Sequence, residues 1–286
     1  MALFRRGIHF GSYGRADDGA AVFTRLAEAA RLAEEAGFDA ISVPDHVHQN
    51  DVGGGVTSPM FEAYTVLGAL ATATSKARLF ALVSPVTLRA PGLLAKAVTS
   101  VDVISGGRAV LGVGAGWDVA EHEAYGIDFP ALRERFDRLD EELAISQALL
   151  REPPATFTGQ FYAVKDAYNS PRPVHGSIPV LVAGGGEKRT LNLVARYADV
   201  CNVFGGPAED VRHKFEVLAA HCDRVARDPK EITKTVFVFD TSDLSAFADS
   251  ARAYAAAGAD GIIIVGPQDP ARILAVAQVL TDVFPG

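Results

Sequence analysis

The chain has 286 residues, of which 49% are hydrophobic and 22% are charged, and its formal net charge is -8. These values are typical of a soluble globular protein. A nucleic-acid-binding protein normally has a basic surface, and no block of Lys and Arg occurs in this sequence. Two cysteines are too few for a disulfide framework. The N-terminal segment MALFRRGIHF lacks the apolar run of a signal peptide. We therefore expect a cytoplasmic protein with a large core that binds neither nucleic acid nor membrane.

Short β-rich runs alternate along the chain with long runs rich in Ala and Leu. The predicted strands are Ile8–Phe10, Ala40–Val43, Arg78–Val83, Ala109–Val113, Pro179–Val182, Val200–Val203, Thr235–Phe239 and Gly261–Val265. The predicted helices are Ala20–Ala36, Phe61–Thr72, Leu93–Ile104, Ala131–Leu150, Lys188–Arg196, Val211–Ala226, Leu244–Ala257 and Pro270–Val283. This alternation predicts right-handed βαβ units and a parallel sheet. Eight such units predict a single (β/α)8 TIM barrel, and an open doubly wound sheet is the alternative.

Two segments are longer than ordinary connections. Pro44–Pro59 follows the second predicted strand and is polar, and Glu152–Ile178 lies between the fourth helix and the fifth strand. Long loops inside compact domains are usually functional or disordered. Neither segment has enough apolar residues for its own core. We therefore expect one domain over residues 1–286, with the second segment as an insertion.

The residues that follow the predicted strands are the candidates for chemistry, because a barrel places its active site at the carboxyl ends of its strands. Asp45 and His46 follow the second strand. A histidine donates or accepts a proton near neutral pH, so His46 is the candidate catalytic residue. The segment His46–His48 also resembles the His-x-His of barrel metal hydrolases. The fifth and sixth strands end without a His or an acid, so no metal site is predicted.

Two glycine clusters are candidates for binding an anion. Gly184–Gly186 precedes a predicted helix, and glycine lets backbone N–H groups approach a phosphate beside the positive end of the helix dipole. Lys188 and Arg189 follow in the first turn, where basic residues are unfavourable for the dipole unless an anion is close. Gly114–Gly116 is a weaker candidate, and a plain tight turn is the alternative for both. For Trp117, the single tryptophan, two roles are possible: it lines a site for a flat ligand, or it packs in the core.

Together these segments resemble the luciferase-like flavin and deazaflavin oxidoreductases, specifically the actinobacterial branch that uses coenzyme F420. The resemblance is carried by AEEAGFDAISVPDH (Ala33–His46), LLAKAVTSVDVISGGRAVLGVGAGW (Leu93–Trp117), DAYNSPRP (Asp166–Pro173) and GGGEKRTLNLVARYADVCNVFG (Gly184–Gly205). It implies hydride transfer between the deazaflavin and a small organic substrate. It also implies a cofactor held without a covalent bond at the mouth of the barrel.

The resemblance also implies roles for particular residues. His46 corresponds to a histidine near the reactive carbon of the deazaflavin, and the segment from Ala81 corresponds to a non-proline cis peptide and bulge that supports the ring. The implied cofactor-binding residues are Asp45, His46, Ala81, Leu82, Val83, Ser84, Gly114, Ala115, Gly116, Trp117, Ala183, Gly184, Gly185 and Gly186. The sequence departs from the sugar-phosphate dehydrogenases of this superfamily at Trp117, where those enzymes carry a catalytic Glu. The next acids, Asp118 and Glu121, are not equivalent to it by position.

Two alternative functions share this fold. One is an FMN-dependent monooxygenase that works with a separate flavin reductase, and the other is a non-catalytic flavin-binding relative. The resemblance and the many Ala, Val and Leu residues of Phe61–Thr72 and Leu93–Ile104 predict a homodimer.

Overall fold

A computed structural model describes residues 2–14, 19–152, 154–267 and 269–285. Its strands are β1 (Arg6–His9), β2 (Ala40–Val43), β3 (Arg78–Ala81), β4 (Ser84–Pro85), β5 (Leu111–Gly114), β6 (Ala155–Thr158), β7 (Ala163–Ala167), β8 (Val180–Ala183), β9 (Val200–Phe204), β10 (Thr233–Val238) and β11 (Gly261–Val265). Its helices are α1 (Ala21–Glu35), α2 (Ala63–Ala73), α3 (Pro91–Ser105), α4 (Val119–Tyr125), α5 (Leu132–Arg151), α6 (Thr190–Tyr197), α7 (Ala208–Arg224), α8 (Leu244–Ala256) and α9 (Pro270–Val283). In the described part of the chain no helix is both long and apolar enough to cross a membrane.

Nine strands form one parallel sheet in the order β3-β2-β1-β11-β10-β9-β8-β5-β4. β3 and β4 are two pieces of one barrel position, because β3 pairs with β2 and β4 pairs with β5. A parallel bridge from Leu79 to Ala109 joins β3 to the segment that leads into β5. The sheet therefore closes on itself with eight positions around its axis, which confirms the predicted (β/α)8 barrel.

Alternate residues of each strand point into the barrel or toward the helices, since the side-chain period of a strand is two. Ile263 packs inside the barrel with Phe80, Leu181 and Val200, while Ile262 and its neighbours on the other face pack under the helices. Burying a side chain of this size contributes about 1.5–3 kcal/mol. The continuously apolar strands of the sequence are explained by this burial on both faces.

Four of these elements, namely β4, β6, β7 and α4, were absent from the sequence-based prediction. The insertion between α5 and β8 is confirmed, and it contains the antiparallel hairpin β6–β7. The hairpin packs through Ala155 on Ala95 of α3 and on Ile145 and Leu149 of α5. The short helix α4 lies in the connection after β5, and β4 follows a break in the third barrel position. Both of these last elements lie at the carboxyl end of the barrel, where the candidate site is located.

Candidate active site

The residues predicted from the sequence lie along one rim of the barrel. Asp45 and His46 follow β2, and the peptide between Leu82 and Val83, after β3, is cis, as the resemblance implies. Gly114 ends β5 and Ala183 ends β8. Because all barrel strands are parallel, these ends face the same opening. The remaining predicted positions on this rim are Ala81, Ser84, Ala115, Gly116, Trp117, Gly184, Gly185 and Gly186.

His46 is held by Glu121, a residue to which the sequence analysis gave no role. The Nδ1 atom of His46 lies 3.0 Å from Oε2 and 3.1 Å from Oε1 of Glu121. The backbone N–H of Val47 donates to the same Oε2 at 2.8 Å. The Glu121 side chain is only 1% exposed. Glu121 therefore fixes both the imidazole ring and the loop that carries it.

The short helix α4 places Glu121 at this point. Asp118 caps the helix, since its side chain accepts a hydrogen bond from the backbone N–H of Glu121 at 3.2 Å. An acid at the cap followed by Glu three positions later is the pattern of a helix start. This pattern in GWDVAEHEAYG is the feature of the sequence that predicts α4 and directs attention to Glu121.

The electrostatics of the pair favour a protonated His46. Burial lowers the pKa of His46, but the hydrogen bond and charge of Glu121, together with the charges of Asp118 and Asp45, raise it above the ordinary value. Burial raises the pKa of Glu121, yet its contacts with His46 and Val47 lower it overall. Donation of Nδ1–H to the carboxylate leaves Nε2 as the ring nitrogen available for proton exchange.

Asp45 belongs to a separate buried network. Its carboxylate accepts two hydrogen bonds from Arg89, at 2.5 and 3.0 Å, and one from Ser84 Oγ at 2.5 Å. Ser84 Oγ also lies 2.9 Å from the Tyr64 hydroxyl, and Arg89 reaches Glu62 at 2.5 Å. The Asp45 carboxylate is thus enclosed. Through Ser84 and Arg89 it holds β4 and the segment that follows β4.

Trp117 covers the outer side of His46. The two rings are 5.5 Å apart between centroids and meet edge to face. Trp117 is 63% exposed, so it is not a core residue. An exposed indole at the rim is suited to contact a flat ligand.

A cleft of about 610 Å³ opens beside the glycine cluster Gly184–Gly186. It is lined by Gly185, Gly186 and the basic residues Arg133, Lys188, Arg189 and Lys214, among others. A Cβ atom at Gly185 would meet nothing closer than Lys214 Cε at 3.7 Å, so the backbone here is open to the cleft. Such a site suits a phosphate or another anion.

The basic residues of this cleft are not equally available to an anion. Arg189, which the sequence places beside an anion, is instead bound to Asp137 and to the Arg133 carbonyl on α5. The helix starts at Thr190 and not at Lys188 as predicted. Lys214 pairs with Glu187 at 2.5 Å. Among the described residues, Arg133 and Lys188 form no ion pair, so they are the cations available in the cleft.

Comparison with known proteins shows the family of the chain. The model of the luciferase-like monooxygenase family matches residues 4–271. An F420-dependent glucose-6-phosphate dehydrogenase of Beutenbergia cavernae is 31% identical over 255 residues, 87% of this chain and 74% of that protein. An uncharacterised protein of Mycobacterium tuberculosis is 33% identical over 186 residues, 60% of this chain and 65% of that protein.

Among solved structures, the F420-dependent tetrahydromethanopterin reductase of Methanopyrus kandleri superposes with a TM-score of 0.80. The alignment covers 99% of this chain and 100% of the reductase at 18% identity, which shows a shared fold. The predicted family is thus confirmed by the family model and by relatives named as F420-dependent. The chain belongs to the luciferase-like monooxygenase family.

Proposed function

We propose that the chain is an oxidoreductase that uses coenzyme F420 to transfer a hydride to or from a small organic substrate. The observation that carries this proposal is the His46–Glu121 pair, which stands on the same rim as the glycine cleft and the Leu82–Val83 peptide. The name of the Beutenbergia cavernae relative supports the choice of cofactor. The predicted cytoplasmic location belongs to the same proposal.

The residues present fit an anionic deazaflavin cofactor. Gly185, Arg133 and Lys188 offer an open backbone and two unpaired cations for its phosphate. The segment from Ala81 to Ser84 offers an apolar support for a flat ring, because Leu82 and Val83 pack at the top of the barrel interior. When bound, the cofactor supplies the hydride chemistry, and the protein supplies binding and orientation.

His46 has the properties of the proton-exchanging residue. Glu121 holds its ring in one orientation and keeps Nε2 as the reactive nitrogen. A positioned acid or base of this kind contributes roughly 10²–10⁴-fold to a rate. Among the described residues, no group of three or more His, Cys, Asp or Glu side chains could hold a metal ion. The proton chemistry of the proposal is assigned to His46 because Glu121 orients its ring.

A homodimer formed through α2 and α3 completes the proposal. Leu93, Val103 and Ile104 are large apolar residues that α3 leaves exposed. Leu93 and Ile104 lie on the same face of α3, about three turns apart, and apolar residues exposed together on one face are typical of an interface between protein chains. A second copy that packs on α3 would bury all three.

A binding experiment tests the choice of cofactor. Apo protein is titrated with coenzyme F420 and with FMN, and absorbance and fluorescence report the bound fraction. We expect F420 to bind at least tenfold more tightly than FMN. Gly185→Val should weaken F420 binding, because its side chain fills the open face of the cleft. Gly206→Val is the matched control, since a Cβ there meets no atom within 4 Å and the residue lies on another rim loop. Tighter binding of FMN would replace this proposal with the monooxygenase alternative.

A further inference from the structure

An aromatic surface lines the barrel mouth at the ends of β9 and β10. Phe204 and Phe239 are 59% and 58% exposed, and their rings are nearly parallel, with an interplanar angle of 17° and centroids 5.9 Å apart. Phe237 is buried beneath them and meets both rings edge to face, with centroids at 6.2 and 4.9 Å. The packed ring below holds the two exposed rings in place.

Both exposed rings point toward the mouth of the barrel. Phe204 is four residues beyond Val200 on the same strand, and Val200 packs inside the barrel. Phe239 is two residues beyond Phe237, which also packs inside the barrel. Residues separated by an even number along a strand share a face. The two rings therefore lie on the interior side of β9 and β10, at the carboxyl ends of these strands.

The pair lies across the mouth from the His46 side. Around the closed barrel the positions run β1, β2, β3/β4, β5, β8, β9, β10 and β11. β9 is four positions from β2, and β10 is four positions from β3/β4. In an eight-position barrel, four positions is half the circumference. Phe204 is therefore opposite His46, and Phe239 is opposite the Leu82–Val83 peptide.

Cationic side chains are scarce directly after the barrel strands. None of the first three residues after any barrel strand is Lys or Arg. Arg89, which follows β4 by four residues, already forms ion pairs with Asp45 and Glu62. The residue after Phe239 is Asp240, and its charge is offset by Arg272 of α9, which donates to the neighbouring Thr241 carbonyl. Recognition of a phosphate normally requires Arg or Lys with matched geometry, while exposed contiguous aromatic rings mark a binding surface for apolar groups.

We propose that Phe204 and Phe239 form the substrate wall of the site and that the substrate is a flat, uncharged organic molecule. Such a molecule stacks on the aromatic pair and lies between that pair and His46. This inference rests on the proposed function and names the substrate class of that site. It separates this chain from relatives named as glucose-6-phosphate dehydrogenases.

Calorimetric titration with coumarin, a flat uncharged probe, tests the inference on the apo protein and on protein saturated with oxidised F420. We expect coumarin to bind in at least one of these forms. Phe204→Ala and Phe239→Ala should each weaken that binding by about 2- to 10-fold, the effect of losing one aromatic contact. Tyr168→Ala is the matched control, because Tyr168 is 71% exposed and lies in the insertion. Its coumarin affinity should equal that of the wild type. Glucose 6-phosphate should not displace coumarin.

Four results would overturn the inference. The first is an absence of coumarin binding in both forms. The second is the same coumarin affinity in both Phe variants and the wild type. The third is displacement of coumarin by glucose 6-phosphate. The fourth is a loss of F420 affinity, without a loss of coumarin affinity, in the Phe variants, which would make the pair part of the cofactor site. Failure of the proposed function is distinguishable, because F420 affinity is measured separately and coumarin binding is also measured without it.

Discussion

Replacement of Glu121 by Gln removes the charge that holds His46 and keeps the shape of the side chain. The backbone N–H of Val47 can still donate to the amide oxygen of Gln. The lost interaction is the charge-assisted hydrogen bond to His46 Nδ1, now 3.0 Å long. Without the carboxylate, burial dominates, and the pKa of His46 should fall. The amide N–H of Gln can also donate to Nδ1, which moves the proton of neutral His46 to Nε2.

The magnitude follows from the burial of the pair. A hydrogen bond to a charged group contributes about 1.5–3 kcal/mol, and Glu121 is too buried for solvent to screen it. The raised pKa of His46 makes this stabilisation disappear as pH rises through that pKa. The lowered pKa of Glu121 makes it disappear as pH falls through that pKa. We therefore expect Glu121→Gln to lower the free energy of unfolding by about 1.5–3 kcal/mol between these two pKa values, and by less at either side.

Two measurements check this prediction. Nitrogen-15 NMR of the His46 ring gives its pKa and tautomer, and urea unfolding across pH gives the stability difference. Glu123→Gln is the control, because it removes one carboxylate from an exposed position on the same helix. A His46 pKa that stays the same or rises in Glu121→Gln would exclude a stabilising charge interaction between Glu121 and His46. Equal stability losses in the two variants would do so as well.

Three further predictions concern the barrel, its interior and its outer surface. Gly112→Ala should lower the free energy of unfolding by about 3 kcal/mol, because its Cβ would lie 2.1 Å from a backbone carbonyl oxygen of β3. Gly185→Ala should change the free energy of unfolding by less than about 0.5 kcal/mol. A larger loss of stability in Gly185→Ala than in Gly112→Ala, measured by urea unfolding, would contradict the close packing at Gly112. Burial, with a smaller effect of a neighbouring histidine, lowers the pKa of His9 from 6.5 to about 3. Protonation of the unfolded state should therefore destabilise the protein below pH 6.5, by about 1.4 kcal/mol at pH 5.5, and His9→Gln should abolish this part of the pH profile of unfolding. Sedimentation equilibrium at micromolar concentration should give a dimer for the wild type and a monomer for Leu93→Glu and Ile104→Glu; a monomeric wild type would exclude the interface.

The barrel could be predicted from the sequence because strand-like and helix-like segments alternate regularly along the chain. Continuous apolar runs such as Gly261–Val265 are typical of a strand that is buried on both faces, and each is followed by a helix. The hairpin β6–β7 was missed because its strands are short and largely exposed. β6 buries only Ala155 fully and β7 buries no residue fully, so neither strand gives a continuous apolar run.

The candidate site was predictable only in part. His46 and the glycine clusters were found because each directly follows a strand. Glu121 was missed because its contact with His46 spans 75 positions in the chain and depends on the short helix α4. The aromatic pair Phe204 and Phe239 was missed for a related reason. Two phenylalanines on separate strands form a surface only once the barrel closes, and apolar residues at strand ends look like core residues in a sequence.

We infer that His46 exchanges the proton in an F420-dependent hydride transfer. Single-turnover oxidation of bound, reduced F420 by a panel of flat uncharged acceptors, led by 2-cyclohexen-1-one, tests it in the wild type and in His46→Ala, with F420 affinity measured on the same samples. We predict turnover in the wild type, a rate lower by roughly 10²-fold or more in His46→Ala, and an F420 affinity that changes much less. An unchanged rate in His46→Ala, or no oxidation by any acceptor in the wild type despite bound cofactor, would contradict the account.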